Sequence, residues 1–190
     1  MIKELQYQQE NCPIEIRTQI VDLLRTEWPS SHTKNQPDWP TEPAELNPIS
    51  VLLMDDGQVI SHAVVLRKSI EHCEEYYLAY GLGSVVTRGS YRNKGYGRRI
   101  VRSATQYIRE QNADIGVFTC DPHLQKLYTG VGWEVATNSP LVGGTTVKPF
   151  RSDKLGKITL IQLFSDRAKV SRSKIISAPI NIELGEGKLW

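Results

Sequence analysis

The stretch Val85–Ile100, VVTRGSYRNKGYGRRI, leaves this chain few ways to fold. A β-branched run gives way to a basic, glycine-rich loop, and a helical pattern follows. From Tyr96 to Gln111 the residues Gly97, Ile100, Val101, Ala104, Tyr107 and Ile108 recur on one side at helical spacing. The loop therefore joins the C-terminal end of a strand to the N-terminus of a helix. Amides there lack intrahelical acceptors and the helix dipole is positive, so the place suits a phosphate group. Gly95 and Gly97 allow the main chain to turn tightly beside an anion, and Arg92, Lys94 and Arg98 add charged donors.

Three phosphate cradles have this context. A P-loop ends Gly-Lys-Ser/Thr, whereas this loop continues Gly97-Arg98-Arg99, which excludes it. A dinucleotide fingerprint wants a third glycine where Ile100 stands and an acidic residue ending the next strand, and Asp114 instead precedes that strand. The third pattern, Arg/Gln-x-x-Gly-x-Gly/Ala, is met by Arg92-Asn93-Lys94-Gly95-Tyr96-Gly97.

Around this unit the periodicity predicts a strand at Lys3–Gln8 and a helix opened by Pro13, with Ile16, Ile20, Leu23 and Leu24 inward. A loop with five prolines, Pro29–Pro48, follows. Strands Ile49–Met54 and Gln58–Leu66 flank a DDG turn, and Glu75–Thr87 is a longer strand bulged at Gly81 and Gly83. Asp114–Cys120 is a buried strand, Pro122 begins a helix ending at Gly130, and strands at GWEVAT and Ile158–Phe164 complete the set. The predicted class is α+β. It is a single domain over residues 1–164 with a mixed, mostly antiparallel sheet of about seven strands, helices on both faces, and one βαβ crossover carrying the loop. Residues 165–190 are expected to be a tail packed on the same domain.

Composition narrows the functional classes. A net charge of +2 gives no general case for nucleic acid, and helix 96–111 has no aromatic platform beside its arginines. No apolar run approaches the ~20 residues that span a bilayer, and the first residues lack a secretory h-region, so a cytoplasmic protein without a membrane partner is expected. Cys12, Cys73 and Cys120 are too scattered for a disulfide framework or a metal site. Charge is uneven: Arg88–Arg109 carries seven basic residues and no acidic one, while Glu42–Glu75 carries seven acidic residues. Opposed basic and acidic walls would suit an anionic cosubstrate and a cationic acceptor.

Over roughly Ile49–Ala136 the chain resembles the GNAT N-acetyltransferase superfamily, by the Arg92–Gly97 loop and by HLQKLYTGVGWEV, where Tyr128 precedes Gly132-Trp133. The resemblance implies acetyl-CoA as cosubstrate and direct transfer of its acetyl group to a primary amine. It implies that Arg92, Asn93, Lys94, Gly95, Tyr96, Gly97 and Arg98 hold the pyrophosphate and that the backbone of Val85, Val86 and Thr87 holds the pantetheine arm. Tyr128 is the implied acid at the departing thiolate. Several relatives place a glutamate before that triplet, but here Tyr80-Gly81-Leu82-Gly83-Ser84 has no carboxylate. Asp38, Glu74, Glu75 and His62 are the remaining candidates for a base, each also readable as a surface group, and Cys120 reads as an inert buried thiol. Similarity to aminoglycoside 2′-N-acetyltransferases (Asp38-Trp39, LYTGVGWEV and a terminal Trp190), and a fainter one to nodulation acyltransferases, implies a small amino-sugar acceptor for a monomer or homodimer. Asp38, Trp39 and Trp190 are the expected substrate-binding residues, with the Trp190 carboxylate as a possible anion for the amine. The alternative is a CoA-binding module without catalysis.

Overall fold

A computed structural model describes residues 1–29 and 39–190, so Asp38 lies outside the described residues. In chain order, strand β1 (Lys3–Gln8) leads to helix α1 (Ile14–Glu27), then β2 (Ile49–Asp55), β3 (Gln58–His72) and β4 (Glu75–Thr87). Helix α2 (Tyr96–Glu110) is followed by β5 (Ile115–Cys120), α3 (Gln125–Thr129), β6 (Glu134–Val135), β7 (Leu141–Gly144), β8 (Pro149–Arg151) and β9 (Ile158–Leu163). Helices α4 (Asp166–Val170) and α5 (Arg172–Ile175) precede the last strand, β10 (Ile180–Asn181). A seven-stranded sheet has the order β1-β2-β3-β4-β5-β9-β6. Strands β4 and β5 pair in parallel, whereas β1/β2, β2/β3, β5/β9 and β6/β9 pair antiparallel. The fold is α+β with a mostly antiparallel mixed sheet, as the sequence implies, and α2 makes the expected crossover between parallel strands.

The described chain forms two compact units, Met1–Leu66 with Leu82–Gln106, and Arg67–Gly81 with Tyr107–Trp190. In the first, Ile20, Leu23 and Leu24 of α1 bury against Leu52, Met54, Val59 and Val86. Successive residues Val51, Leu52 and Leu53 are all fully buried, so both faces of β2 are covered. The second cover is α2. Glu4 pairs in register with Leu53, and Arg99 Nε (2.6 Å) and Ser103 Oγ (2.7 Å) of α2 donate to the Glu4 carboxylate. Ile100, Val101 and Ala104 form the buried stripe of that helix.

The second unit packs on aromatic rings. Phe118 meets Trp133 edge-on at 4.6 Å between ring centroids, and Trp133 meets Phe164 at 6.4 Å. Gly116 on β5 makes room for them, since a β-carbon there would lie 2.6 Å from Trp133 Cη2. A three-stranded sheet, β10-β7-β8, belongs to the same unit and was not foreseen. Its strands are short and rich in Gly143, Gly144 and Pro149, residues that erase a strand signal. Residues 165–190 group with β5 and β9 in this unit, with Ser165 Oγ capping α4 by accepting from Ala168 N (3.2 Å).

Three elements differ from expectation by more than a single residue at an end. Strand β3 runs to His72 rather than Leu66, because its turn uses Cys73 and Glu74 at φ +52° and +66° without the glycine that marks such hairpins. The helix from Pro122 is divided into a 3₁₀ turn, Pro122–Leu124, and α3. GWEVAT contributes only Glu134–Val135 as strand.

Asp114, at the foot of β5, ties the second unit together. Its carboxylate accepts from Arg167 Nε (2.7 Å) and Nη2, Ser165 Oγ (2.7 Å) and Leu78 N (2.8 Å). The guanidinium of Arg167, helped by the Leu78 amide and the Ser165 hydroxyl and opposed by burial, holds this carboxyl down to about 2. A folded-state value below the unfolded one gives stability that is complete above pH ~4 and lost as pH falls from there towards 2. Asp114→Asn is expected to lower unfolding stability by about 2 kcal/mol at pH 7. Urea titrations at pH 7 and pH 3 check this, with a smaller mutant deficit at the lower pH.

Candidate active site

Strand β4 ends in a loop fixed at both sides. Arg88 N donates to Ile60 O (2.9 Å), Ser61 Oγ donates to Val86 O (2.8 Å), and the Ser61 and Thr87 hydroxyls lie 2.8 Å apart. Val86 is buried in the α1 core, while Val85 and Thr87 are half-buried. A 3₁₀ turn, Gly89–Tyr91, leads into the motif. Lys94 Nζ donates to Ser90 O (3.0 Å) and sits 5.4 Å above the Tyr91 ring, which in turn leans on Tyr96. Asn93 and Gly95 both adopt left-handed backbone, at φ +61° and +85°. Arg99 N donates to Gly95 O (3.0 Å), closing the first turn of α2. The amides of Tyr96, Gly97 and Arg98 precede that bond and so have no i−4 acceptor within the helix. An exposed backbone cradle at a helix N-terminus results, the geometry that a pyrophosphate fits.

One residue the sequence reasoning missed holds this loop. Glu27, the last residue of α1, accepts from Gly89 N (2.7 Å) and from the Arg92 guanidinium, and Arg92 Nε donates to Thr87 O (3.1 Å). The Arg92 side chain is thus a latch within the protein. A lone glutamate ending a helix ahead of a basic loop is the only signal the sequence offers for it.

In the second unit, Tyr128 is 4% exposed and meets Phe118 edge-on at 4.9 Å. Burial, with a lesser contribution from nearby Cys120, raises its phenol above the usual tyrosine range. Burial also pushes the Cys120 thiol up to about 11, so it is a neutral, unreactive group, as expected. Trp190 is 6% exposed, and a main-chain oxygen of this last residue accepts from Thr119 N (2.9 Å) and Thr119 Oγ1. Its ring occupies the space beside Gly81, where a β-carbon would lie 2.5 Å from Trp190 Cε3. The Trp190 indole N–H is buried without a hydrogen-bond partner among the described residues.

The other expected residues are dispersed. Trp39 is half-buried in the first unit and donates Nε1–H to Gln9 O (2.7 Å). Glu74 and Glu75 are exposed at the β3–β4 turn. His62 is not the surface group that one reading allowed. It is fully buried, its Nε2 bonds Ser50 Oγ at 3.1 Å, and burial pulls its imidazole down to about 4 against the opposing pull of the Ser84 main chain. Among the described residues no cluster of three His, Cys, Asp or Glu could hold a metal ion, and no helix is long and apolar enough to cross a membrane.

The family of acetyltransferase (GNAT) domains matches residues 15–136, more than half of the chain, and the protein belongs to that family. It is an acetyl-CoA-dependent acyltransferase, with acetyl-CoA as its cosubstrate. No curated protein sequence matches it. Solved structures share the fold at low identity. An acyl-CoA N-acyltransferase from Pseudomonas aeruginosa has a TM-score of 0.60 at 13% identity, over 85% of this chain and 99% of that one. A GNAT-family N-acetyltransferase from Escherichia coli, solved with CoA, has 0.58 at 18% identity, over 95% and 88%. The aminoglycoside 6′-N-acetyltransferase from Enterococcus faecium has 0.59 at 14% identity, over 88% and 98%.

Two substitutions test the geometry. A β-carbon at Gly95 meets nothing within 4 Å, so the constraint that Gly95→Val violates is the left-handed φ of +85°. Left-handed strain of ~1–3 kcal/mol predicts an acetyl-CoA affinity lower by about 10- to 100-fold, read by calorimetric titration of a folded variant. Gly81→Ala instead collides with the Trp190 ring and is expected to cost about 1–3 kcal/mol of stability, with Trp190 more open to acrylamide quenching.

Proposed function

We propose that the protein transfers the acetyl group of acetyl-CoA directly to a primary amine of a small cationic molecule, an amino sugar of the aminoglycoside kind. In this reading the amides and cationic side chains of Arg92–Arg98 hold the pyrophosphate and the backbone of Val85–Thr87 holds the pantetheine arm. The observation that carries it is the open amide cradle formed by Asn93, Gly95 and the first turn of α2, in a chain of the GNAT family. The acceptor class is supported by the acidic stretch Glu42–Glu75 and by the aminoglycoside-modifying enzyme among the proteins sharing this fold. Trp39 and Trp190 are the proposed acceptor-side contacts.

Tyr128 acts at the sulfur. A buried phenol stays neutral across the working pH range and can donate a hydrogen bond as the C–S bond breaks. Full proton transfer to a thiolate of pKa ~8.5 is uphill from a phenol whose pKa burial has raised above ~10. Tyr128 therefore stabilises the developing charge, and solvent completes the protonation.

CoA release with a panel of primary amines tests the activity. Turnover with an amino sugar supports the reading, and acetyl-CoA binding without turnover on any amine replaces it with a CoA-binding module. Tyr128→Phe is expected to lower kcat by ~10- to 10³-fold with acetyl-CoA affinity unchanged. Because the phenol does not titrate there, that ratio should stay flat between pH 6 and 9. Wild-type turnover in the variant returns Tyr128 to packing alone.

A further inference from the structure

Strand β4 carries no carboxylate from Tyr80 to Ser84, and at Gly83 it has no side chain. A β-carbon there would lie 3.0 Å from Val64 Cγ1 and 3.8 Å from Leu66 Cδ1. The next atom it would meet is Glu42 Oε1, at 3.9 Å. A carboxylate from another segment thus lies beside β4 on the side where the strand has no side chain of its own. We infer that Glu42 is the carboxylate that meets the acceptor amine and takes its proton. The inference rests on the acetyltransferase reading above and assigns a group that reading left vacant.

The position is built. Gln9 is 0% exposed, and its side chain grips the residue before Glu42 from both directions. Gln9 Nε2 donates to Thr41 Oγ1 (2.7 Å), and Thr41 N donates to Gln9 Oε1 (2.9 Å). Trp39 Nε1 donates to Gln9 O, and Gln9 N donates to Pro48 O (3.0 Å), so the segment is pinned on either side of Glu42. Beyond it a 3₁₀ turn, Ala44–Leu46, buries Leu46. Glu42 is therefore held beside Gly83 by a clamp of part-buried hydrogen bonds around the buried Gln9.

The β4 backbone at this point is also unusual. Ser84 is left-handed at φ +48°, a conformation that costs energy in any residue with a β-carbon. His62 reaches towards the Ser84 main chain, and its Nδ1 is buried without a well-formed hydrogen bond. Its other edge bonds Ser50, which also accepts from Gln9 Nε2 (3.2 Å). The same glutamine that fixes Glu42 thus supports the neutral histidine at the bulge. Gly83 precedes Val85 by two residues, ~7 Å of extended chain, which sets Glu42 beside the strand segment proposed for the pantetheine arm.

The chemistry balances without any further reactant. The acceptor enters as neutral R–NH2 with one N–H donated to the Glu42 carboxylate. As the C–N bond forms, the nitrogen becomes strongly acidic and passes its proton to Glu42, while the C–S bond breaks with its electron pair on sulfur. Solvent relays the proton from Glu42 to the thiolate, leaving the amide and CoA thiol.

The test compares wild type, Glu42→Gln, Glu42→Asp and the control Glu45→Gln, whose side chain is exposed one turn away. Glu42→Gln should lose about 10²- to 10⁴-fold in kcat with an amino-sugar amine while acetyl-CoA affinity stays within about twofold. Glu42→Asp should recover part of the loss, and Glu45→Gln should match wild type. Wild-type kcat in Glu42→Gln overturns the assignment. If the wild type binds acetyl-CoA but releases CoA with no amine, the acetyltransferase reading is what fails, and equilibrium binding of tobramycin then decides Glu42. Equal affinity in both proteins overturns its role as an amine-facing anion, and weakening of about 10-fold or more in Glu42→Gln upholds it.

Discussion

Strand β4 depends on two positions that have no side chain. Within the second unit Gly81 leaves the space filled by the Trp190 ring, and within the first Gly83 leaves space bounded by Val64, Leu66 and Glu42. Glycine inside a strand costs roughly 0.5–1 kcal/mol relative to alanine through lost chain entropy. Two of them within three residues would weaken an ordinary strand. Here Gly81 is required by a contact closer than a β-carbon tolerates, a β-carbon at Gly83 would sit a tight 3.0 Å from Val64 Cγ1, and the left-handed Ser84 that follows completes the departure from a regular ladder. A strand that is paired, interrupted and then fixed again at Val86–Arg88 presents irregular backbone beside the proposed cosubstrate site. Irregular backbone is what exposes amides and carbonyls for a ligand, since a regular ladder consumes them.

What the sequence discloses about this fold is what local pattern can carry. β1 falls at Lys3–Gln8 as expected, and α1 and α2 follow from stripes of Ile, Leu and Val at helical spacing. The loop was legible because its glycines, its cations and the flanking strand and helix agree within one short segment. The turn at Cys73-Glu74 was not, because residues with side chains occupy φ angles that sequence rules assign to glycine or asparagine. Glu27 and Glu42 were not either. Their partners lie on another strand or loop, and Glu27 meets Gly89 across 62 positions of sequence. No periodicity encodes such a pairing. His62 misled because a histidine within an apolar run can be a core residue or a site residue, and only burial distinguishes the two.

Charge counting misleads in a related way. The seven basic residues from Arg88 to Arg109 suggest an intensely positive surface. Arg92 is paired with Glu27 and Arg99 with Glu4, so part of that charge is neutralised inside the protein. Exposed pairs of this kind contribute little stability, typically 0–1 kcal/mol, but they fix geometry. Arg92 holds the loop against α1, and Arg99 holds the start of α2 over β1. The cations organise the cradle, and the main-chain amides remain as the donors that a phosphate would meet. Recognition of a pyrophosphate here rests first on backbone shape and the helix dipole, with Lys94 and Arg98 adding to it.

The protonation states follow one rule. In the first unit burial holds His62 neutral by lowering it, and in the second burial holds Tyr128 and Cys120 neutral by raising them. Desolvation penalises whichever form is charged, so each buried group is locked in its uncharged form. None of the three changes its charge near pH 7. A donor that never ionises is useful at a departing sulfur, where a constant hydrogen bond is wanted. Burial disqualifies His62 as a base for the same reason, since it opposes the imidazolium that would form on taking a proton. A group that takes a proton from the amine must remain partly solvated, as the half-buried Glu42 is and the fully buried His62 is not.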